Sequence, residues 1–199
     1  MKLKKKWRKF LHQTLILGSL PFFSPQAHAH DLKLVPYVDI PRYMGDWYVI
    51  ANIPNFIEKD CIRSIESYAL RPDGKIDNGF VCHKADGSSK RLTSLAWIKD
   101  PQTQAEWRVR FNWDTFFGNI PIPIHVGYYV IDLDAQNYSY TVVGHPSRDL
   151  LWIMSREQTM SEDLYRDILQ KVKAQGYDTS RINRLPQTLS QPLNKDQTP

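Results

Sequence analysis

Two cysteines and nine glycines among 199 residues exclude a disulfide-dense miniature scaffold and a glycine-rich or collagen-like chain. There is no Gly-rich run able to cradle a phosphate, no Gly-x-Ser-x-Gly elbow, no Cys-x-x-Cys pair and no internal repeat. His30, His83, His125 and His145 lack metal-ligand spacing, so neither a metal nor a cofactor is expected. Uninterrupted apolar sequence is also scarce. The stretch from Phe10 to Phe23 is broken by His12, Gln13, Ser19 and Pro21, whereas a membrane helix needs about 20 predominantly apolar residues. The net charge of +5 is local: Lys2, Lys4, Lys5, Lys6, Arg8 and Lys9 precede any acidic residue, and without them 20 basic residues face 21 acidic ones. The rest of the chain therefore has no electrostatic footprint for nucleic acid.

What is there begins with a leader. A basic start, an apolar stretch and Ala27-His28-Ala29 before His30 form a secretory signal over 1–29 with an A-x-A cleavage pattern. The leader contains no cysteine, so a lipoprotein attachment there is not expected, and the mature chain reads as exported and periplasmic. Retention of the leader as an anchor is the alternative. In an oxidising compartment the even pair Cys61 and Cys82 is a disulfide candidate.

From there, short β-rich runs alternate with turn residues: 46–53, 63–70, 75–82, 91–98, 105–112, 126–133, 138–143 and 150–155. Pro72-Asp73-Gly74, Asp100-Pro101, Asp134–Asn137 and Gly144–Ser147 punctuate them. Ser161 then caps a helix with Glu162 and Asp163 in its first turn, Leu164, Ile168, Leu169 and Val172 on one face, and Gly176 as its stop. One domain over 30–185 follows, with 186–199 as a loosely held tail. Eight consecutive antiparallel strands followed by a singly striped helix predict an all-β, up-and-down barrel with the helix packed outside, its interior just wide enough for one small ligand.

Three motifs in order carry a family resemblance over roughly 36–183. Tyr43-Met44-Gly45-Asp46-Trp47 resembles the Gly-x-Trp opening of lipocalins, with Asp39–Tyr43 similar to their short plugging helix. Asp132-Leu133-Asp134 with Tyr138 resembles the middle motif, and Leu151–Arg156 the closing strand with its arginine. The phrase Pro146–Trp152 is most similar to the bacterial lipocalin and apolipoprotein D branch. The resemblance implies a non-enzymatic barrel that binds fatty acids, lysophospholipids or similar hydrophobic ligands in the envelope. An aromatic or tetrapyrrole ligand, a barrel enzyme acting on a hydrophobic substrate, and a structural interaction barrel are the rival readings.

Within that frame, Gly45 allows close backbone approach, Trp47 fills the narrow end, and Arg156 lies on its ring as a cation–π pair. These roles are structural, not catalytic. With that end closed, alternating strand direction puts the loops 54–62, 83–90, 113–125 and 144–149 at the mouth. Cys61 and Cys82 then face one another across neighbouring strands, where a bridge would add about 3 kcal/mol in the chain-entropy account. Period-two alternation from Trp47 directs Val49, Ala51 and Ile53 inward. Phe56 in the first mouth loop joins the expected lining. Tyr68, Phe80, Trp107, Val109, Phe111, Tyr128, Val130, Tyr140 and Trp152 complete it, their phase set partly by the resemblance. Such a lining suits an acyl chain, a fully packed core without a cavity being the alternative; His83, Lys84, Lys90, Arg91 and Arg148 around the mouth either meet the head of that chain or form a solvated rim. Trp113, Phe116, Phe117, Ile120, Ile122 and Ile124 crowd one mouth loop, which covers the barrel, touches a membrane transiently, or forms a dimer surface.

Overall fold

The computed structural model describes residues 32–111 and 125–187. The expected leader, nearly all of the 113–125 loop with its proposed membrane contact, and the tail beyond 187 lie outside the described residues.

A one-turn helix, α1 (Ile40–Tyr43), precedes eight strands: β1 Gly45–Asn52, β2 Cys61–Leu70, β3 Ile76–Lys84, β4 Ser89–Ile98, β5 Glu106–Phe111, β6 His125–Leu133, β7 Tyr140–Gly144 and β8 Leu151–Ser155. Each pairs antiparallel with the next, and β1 pairs with both β2 and β8, so the sheet closes into a barrel without a free edge among these strands. Helix α2 (Glu162–Ala174) follows, with Ser161 Oγ accepting from the Leu164 N–H as its N-cap. A ninth strand, β9 (Asn183–Arg184), pairs with Ala51 and Asn52 of β1. Two residues carry no periodicity, so sequence pattern offers no sign of it.

The core has two compartments. Inside the barrel, Val38, Tyr43, Trp47, Val49, Tyr68, Trp107, Val130, Val143 and Met154 pack together. Outside, Ile50, Ala51, Ile53, Ile131, Val142, Leu151 and Ile153 meet Ile168, Val172 and Tyr177 of the helical segment. A β-bulge between Val49 and Ala51 separates the two compartments along β1. An extra residue reverses the alternation, so Ala51 and Ile53, expected inside, lie beneath α2, and Asn52 takes the inner face opposite Trp152. A second bulge between Val130 and Asp132 acts likewise on β6.

Candidate functional site

The narrow end of the barrel is sealed by α1 and the first turn of β1. Asp39 accepts from the Arg42 N–H as the N-cap of α1, and Arg42 lays its guanidinium 4.2 Å from the Tyr138 ring centroid. Arg156 sits 3.7 Å from the Trp47 ring centroid and donates to four carbonyls, those of Arg42, Tyr43, Met44 and Asp46. Gly45, at φ 93°, turns the chain past that guanidinium; a Cβ there would stand 3.4 Å from Arg156 Nη1 in a backbone region that side chains avoid. The stacked pair expected from sequence is present, and the four carbonyl contacts make Arg156 a cap for the turn as well.

Above this seal the floor is aromatic. Trp107 stacks on Tyr128 with ring centroids 4.7 Å apart, and Tyr43, Tyr68 and Trp107 contact one another edge-on or tilted. The Tyr128 hydroxyl lies 2.9 Å from those of Tyr43 and Tyr68, and Tyr43 donates to Thr141 Oγ1. Burial pushes all three phenols above their ordinary range.

The open half holds a cavity of about 60 Å³ whose lining includes Tyr68, Val109, Phe111, Tyr128, Trp152 and Glu66. A neighbouring cavity of about 40 Å³ is bounded by Phe80, Leu92, Phe111, Trp152, Glu66 and Glu58. Six of the expected lining residues thus surround cavity, while Trp107 and Val130 belong to the packed barrel core. Three expectations are corrected. Ile53 lies under α2 because of the bulge. Tyr140, paired with Ser155 on the outer face, lies 3.4 Å from Asp132 Oδ2 and 3.5 Å from Lys171 Nζ. Phe56 is 71% exposed, because the turn that carries it directs Glu58 inward instead.

The two carboxyls are what sequence reasoning missed. Glu58, from the β1–β2 loop, is 5% exposed, and its Oε2 accepts from Asn52 Nδ2 at 2.9 Å, Asn55 Nδ2 at 2.5 Å and Trp152 Nε1 at 2.8 Å. Its Oε1 is buried without a hydrogen-bond partner. Glu66, opposite Trp47 and Phe80 in register, accepts from Asn78 Nδ2 at 2.6 Å, and Asn78 Oδ1 in turn accepts from Ser94. Desolvation pushes the Glu66 carboxyl up to about 8 and raises Glu58 as well. A signal was available: the alternation that places Tyr68 inside also places Glu66 inside.

At the rim, Cys61 and Cys82 form a disulfide with Cα atoms 5.4 Å apart. Register places Lys90, opposite Cys82, on the inner face. His83 instead contacts Arg63 on the outer face, Arg91 pairs with outward Val81, and Arg148 donates to the carbonyls of Pro146 and Gln175. Among the described residues no group of His, Cys, Asp or Glu is arranged to hold a metal ion, and no helix is long and apolar enough to cross a membrane.

Comparison with known proteins agrees with this geometry. The family model described as a lipocalin-like domain matches residues 38–187. Temperature-induced lipocalin-1 of Arabidopsis thaliana is 32% identical over 166 residues, covering 81% of this chain and 86% of the relative. The outer membrane lipoprotein Blc of Escherichia coli K12 is 32% identical over 152 residues, covering 76% and 80% respectively. Among solved structures, insecticyanin from Manduca sexta superposes with a TM-score of 0.61 at 18% identity over 81% of this chain and 86% of its own, a likeness of fold.

Proposed function

Because the chain belongs to the lipocalin family and is a barrel of the kind that binds small hydrophobic ligands, we propose that it carries a single-chain amphiphile, such as a fatty acid or lysophospholipid, in a bacterial envelope. The observation that carries this reading is the cavity at the open half, whose walls of Val109, Phe111, Tyr128, Trp152 and Met154 match an alkyl chain rather than a polar solute. Its volume is well below the ~300–1,000 Å³ of formed ligand pockets, so entry requires the mouth side chains to move apart. Phe111 and Trp152, both only partly buried, are placed to do so.

An exported, periplasmic location accords with the Ala27-His28-Ala29 leader and with relatives named outer membrane lipoproteins. The two cysteines of this chain are joined to each other. Native mass spectrometry of the protein isolated from its own envelope tests the whole reading. The expected result is a chain starting at His30 with one bound amphiphile. A coloured or aromatic adduct supports the tetrapyrrole alternative, and ligand-free protein that takes up no fatty acid or lysophospholipid from a panel overturns the carrier.

A further inference from the structure

We infer that the barrel holds a cation-recognition site, formed by Glu58, Glu66 and the ring of Trp152, which selects amphiphiles bearing an ammonium group over those bearing a carboxylate. The inference rests on the carrier reading and specifies its ligand class. Both carboxyls border one small cavity together with Phe80, Phe111 and Trp152, and the groups acting on them include no cation. Three N–H donors converge on Glu58 Oε2, an arrangement suited to an anionic oxygen. The other oxygen, Oε1, is buried without a donor. Leaving such an atom unmade costs free energy, and a ligand N–H or ammonium methyl group would meet it. Glu66 receives one donor, the Asn78 amide, which Ser94 orients. Aromatic faces beside paired carboxyls recognise primary and quaternary ammonium groups, whereas a ligand carboxylate placed there finds no cation to pair with. The attached chain would continue into the adjoining cavity along Val109 and Tyr128.

The charged groups around Glu66 are Glu58 from the loop above it and, nearer the rim, Lys90 of β4 on the inner face; Tyr43 and Tyr68 remain neutral because burial raises their phenols. Desolvation holds Glu66 protonated in the free protein up to a pH of about 8. Binding of a permanent cation therefore displaces a proton, and its affinity rises with pH by up to about tenfold per unit below that point.

The test compares dodecyltrimethylammonium, dodecanol and dodecanoate below micelle-forming concentrations, following tryptophan fluorescence. At pH 7.5 the ammonium compound is expected to bind about 10–100-fold more tightly than dodecanoate, as befits a charge-assisted contact, and Glu66→Gln or Glu58→Gln should move that ratio toward one. Calorimetry of the wild type in two buffers of different ionisation enthalpy should register proton release, a readout that does not depend on either variant folding. Dodecanoate binding as tightly as the ammonium compound, or an ammonium affinity flat between pH 6 and 8, overturns the inference and leaves the carrier intact. Failure of all three compounds to bind overturns the carrier reading and this inference together.

Discussion

A single guanidinium decides how the narrow end of the barrel closes. Arg156 lies on the Trp47 ring and satisfies carbonyls at the end of α1 and the start of β1 that the short helix leaves without partners. Replacement by alanine removes a partly buried cation–π contact and several charge-assisted hydrogen bonds at once, so Arg156→Ala should lower stability by about 2–4 kcal/mol. Trp47→Ala should cost about 3–5 kcal/mol as an aromatic truncation. A double-mutant cycle by urea unfolding is expected to give a coupling of at least about 1 kcal/mol; strict additivity of the two losses would refute the stacking energy assigned here. Arg156→Lys should recover little, because an ammonium cannot cover a ring face while reaching carbonyls on both sides of it. Gly45, Trp47 and Arg156 were legible because their motifs resemble the opening and closing strands of lipocalins. Glu58 and Glu66 were overlooked because a carboxylate in a strand or loop ordinarily faces solvent; the alternation through Tyr68 reaches Glu66, but Glu58 lies in a loop without alternation, and only its burial shows it turned inward.

At the scale of elements, strand order, hairpin connection and the capped helix were legible from turn residues and from apolar spacing at two periods. The inner and outer faces were legible only as far as the first irregularity. Along β1 the alternation from Trp47 holds through Val49 and fails at Ala51 and Ile53, since a bulge leaves no mark in apolar composition: Ile50, Ala51 and Ile53 are hydrophobic on either face. Tyr140 was misplaced for a related reason, as a tyrosine suits both a barrel interior and a helix-covered surface where its hydroxyl reaches Lys171 and Asp132. The outward set forms the seat for α2. Gly144 completes it, because a Cβ there would overlap the Tyr177 hydroxyl, which instead bonds the His145 backbone. Ile168 is fully buried between α2 and that seat. Ile168→Ala is therefore expected to destabilise by about 2–4 kcal/mol, while the affinity for a dodecyl ligand changes less than about twofold because the cavity lies on the other side of the sheet. A large loss of affinity in folded protein would contradict the separation of the two compartments.

For the molecule as a whole, the two ends of the barrel are stabilised by different means. The narrow end is packed, with Trp47, Tyr43 and Trp107 fully buried. The mouth half encloses cavity, the buried Glu58 and the partly buried Glu66, and it relies on the Cys61–Cys82 bridge between β2 and β3, a constraint worth about 3 kcal/mol in the chain-entropy account. That asymmetry links folding to pH in a definite direction. Glu66 titrates near 4.5 in an ordinary environment and at about 8 inside the barrel, through desolvation. Below both values the carboxyl is protonated folded or unfolded and contributes nothing to the balance. Between them the unfolded chain ionises and the folded one does not, so stability falls as pH rises from about 4.5 to about 8, and above that both forms are ionised and the loss is complete. Glu58, raised for the same reason, acts in the same sense. At about 1.4 kcal/mol per pKa unit the total loss is at most a few kcal/mol, or on the order of 10 °C in melting temperature for a chain of this size. Thermal unfolding from pH 5 to 8.5 should show that decline, and Glu66→Gln, which keeps the Asn78 contact without a charge to bury, should flatten it and melt higher than wild type at pH 8. A bound ammonium amphiphile should flatten it too, by pairing the ionised carboxylate. Equal slopes for Glu66→Gln and wild type would show that Glu66 ionises in the folded barrel as freely as in water, and that the interior is far more hydrated than its packing implies.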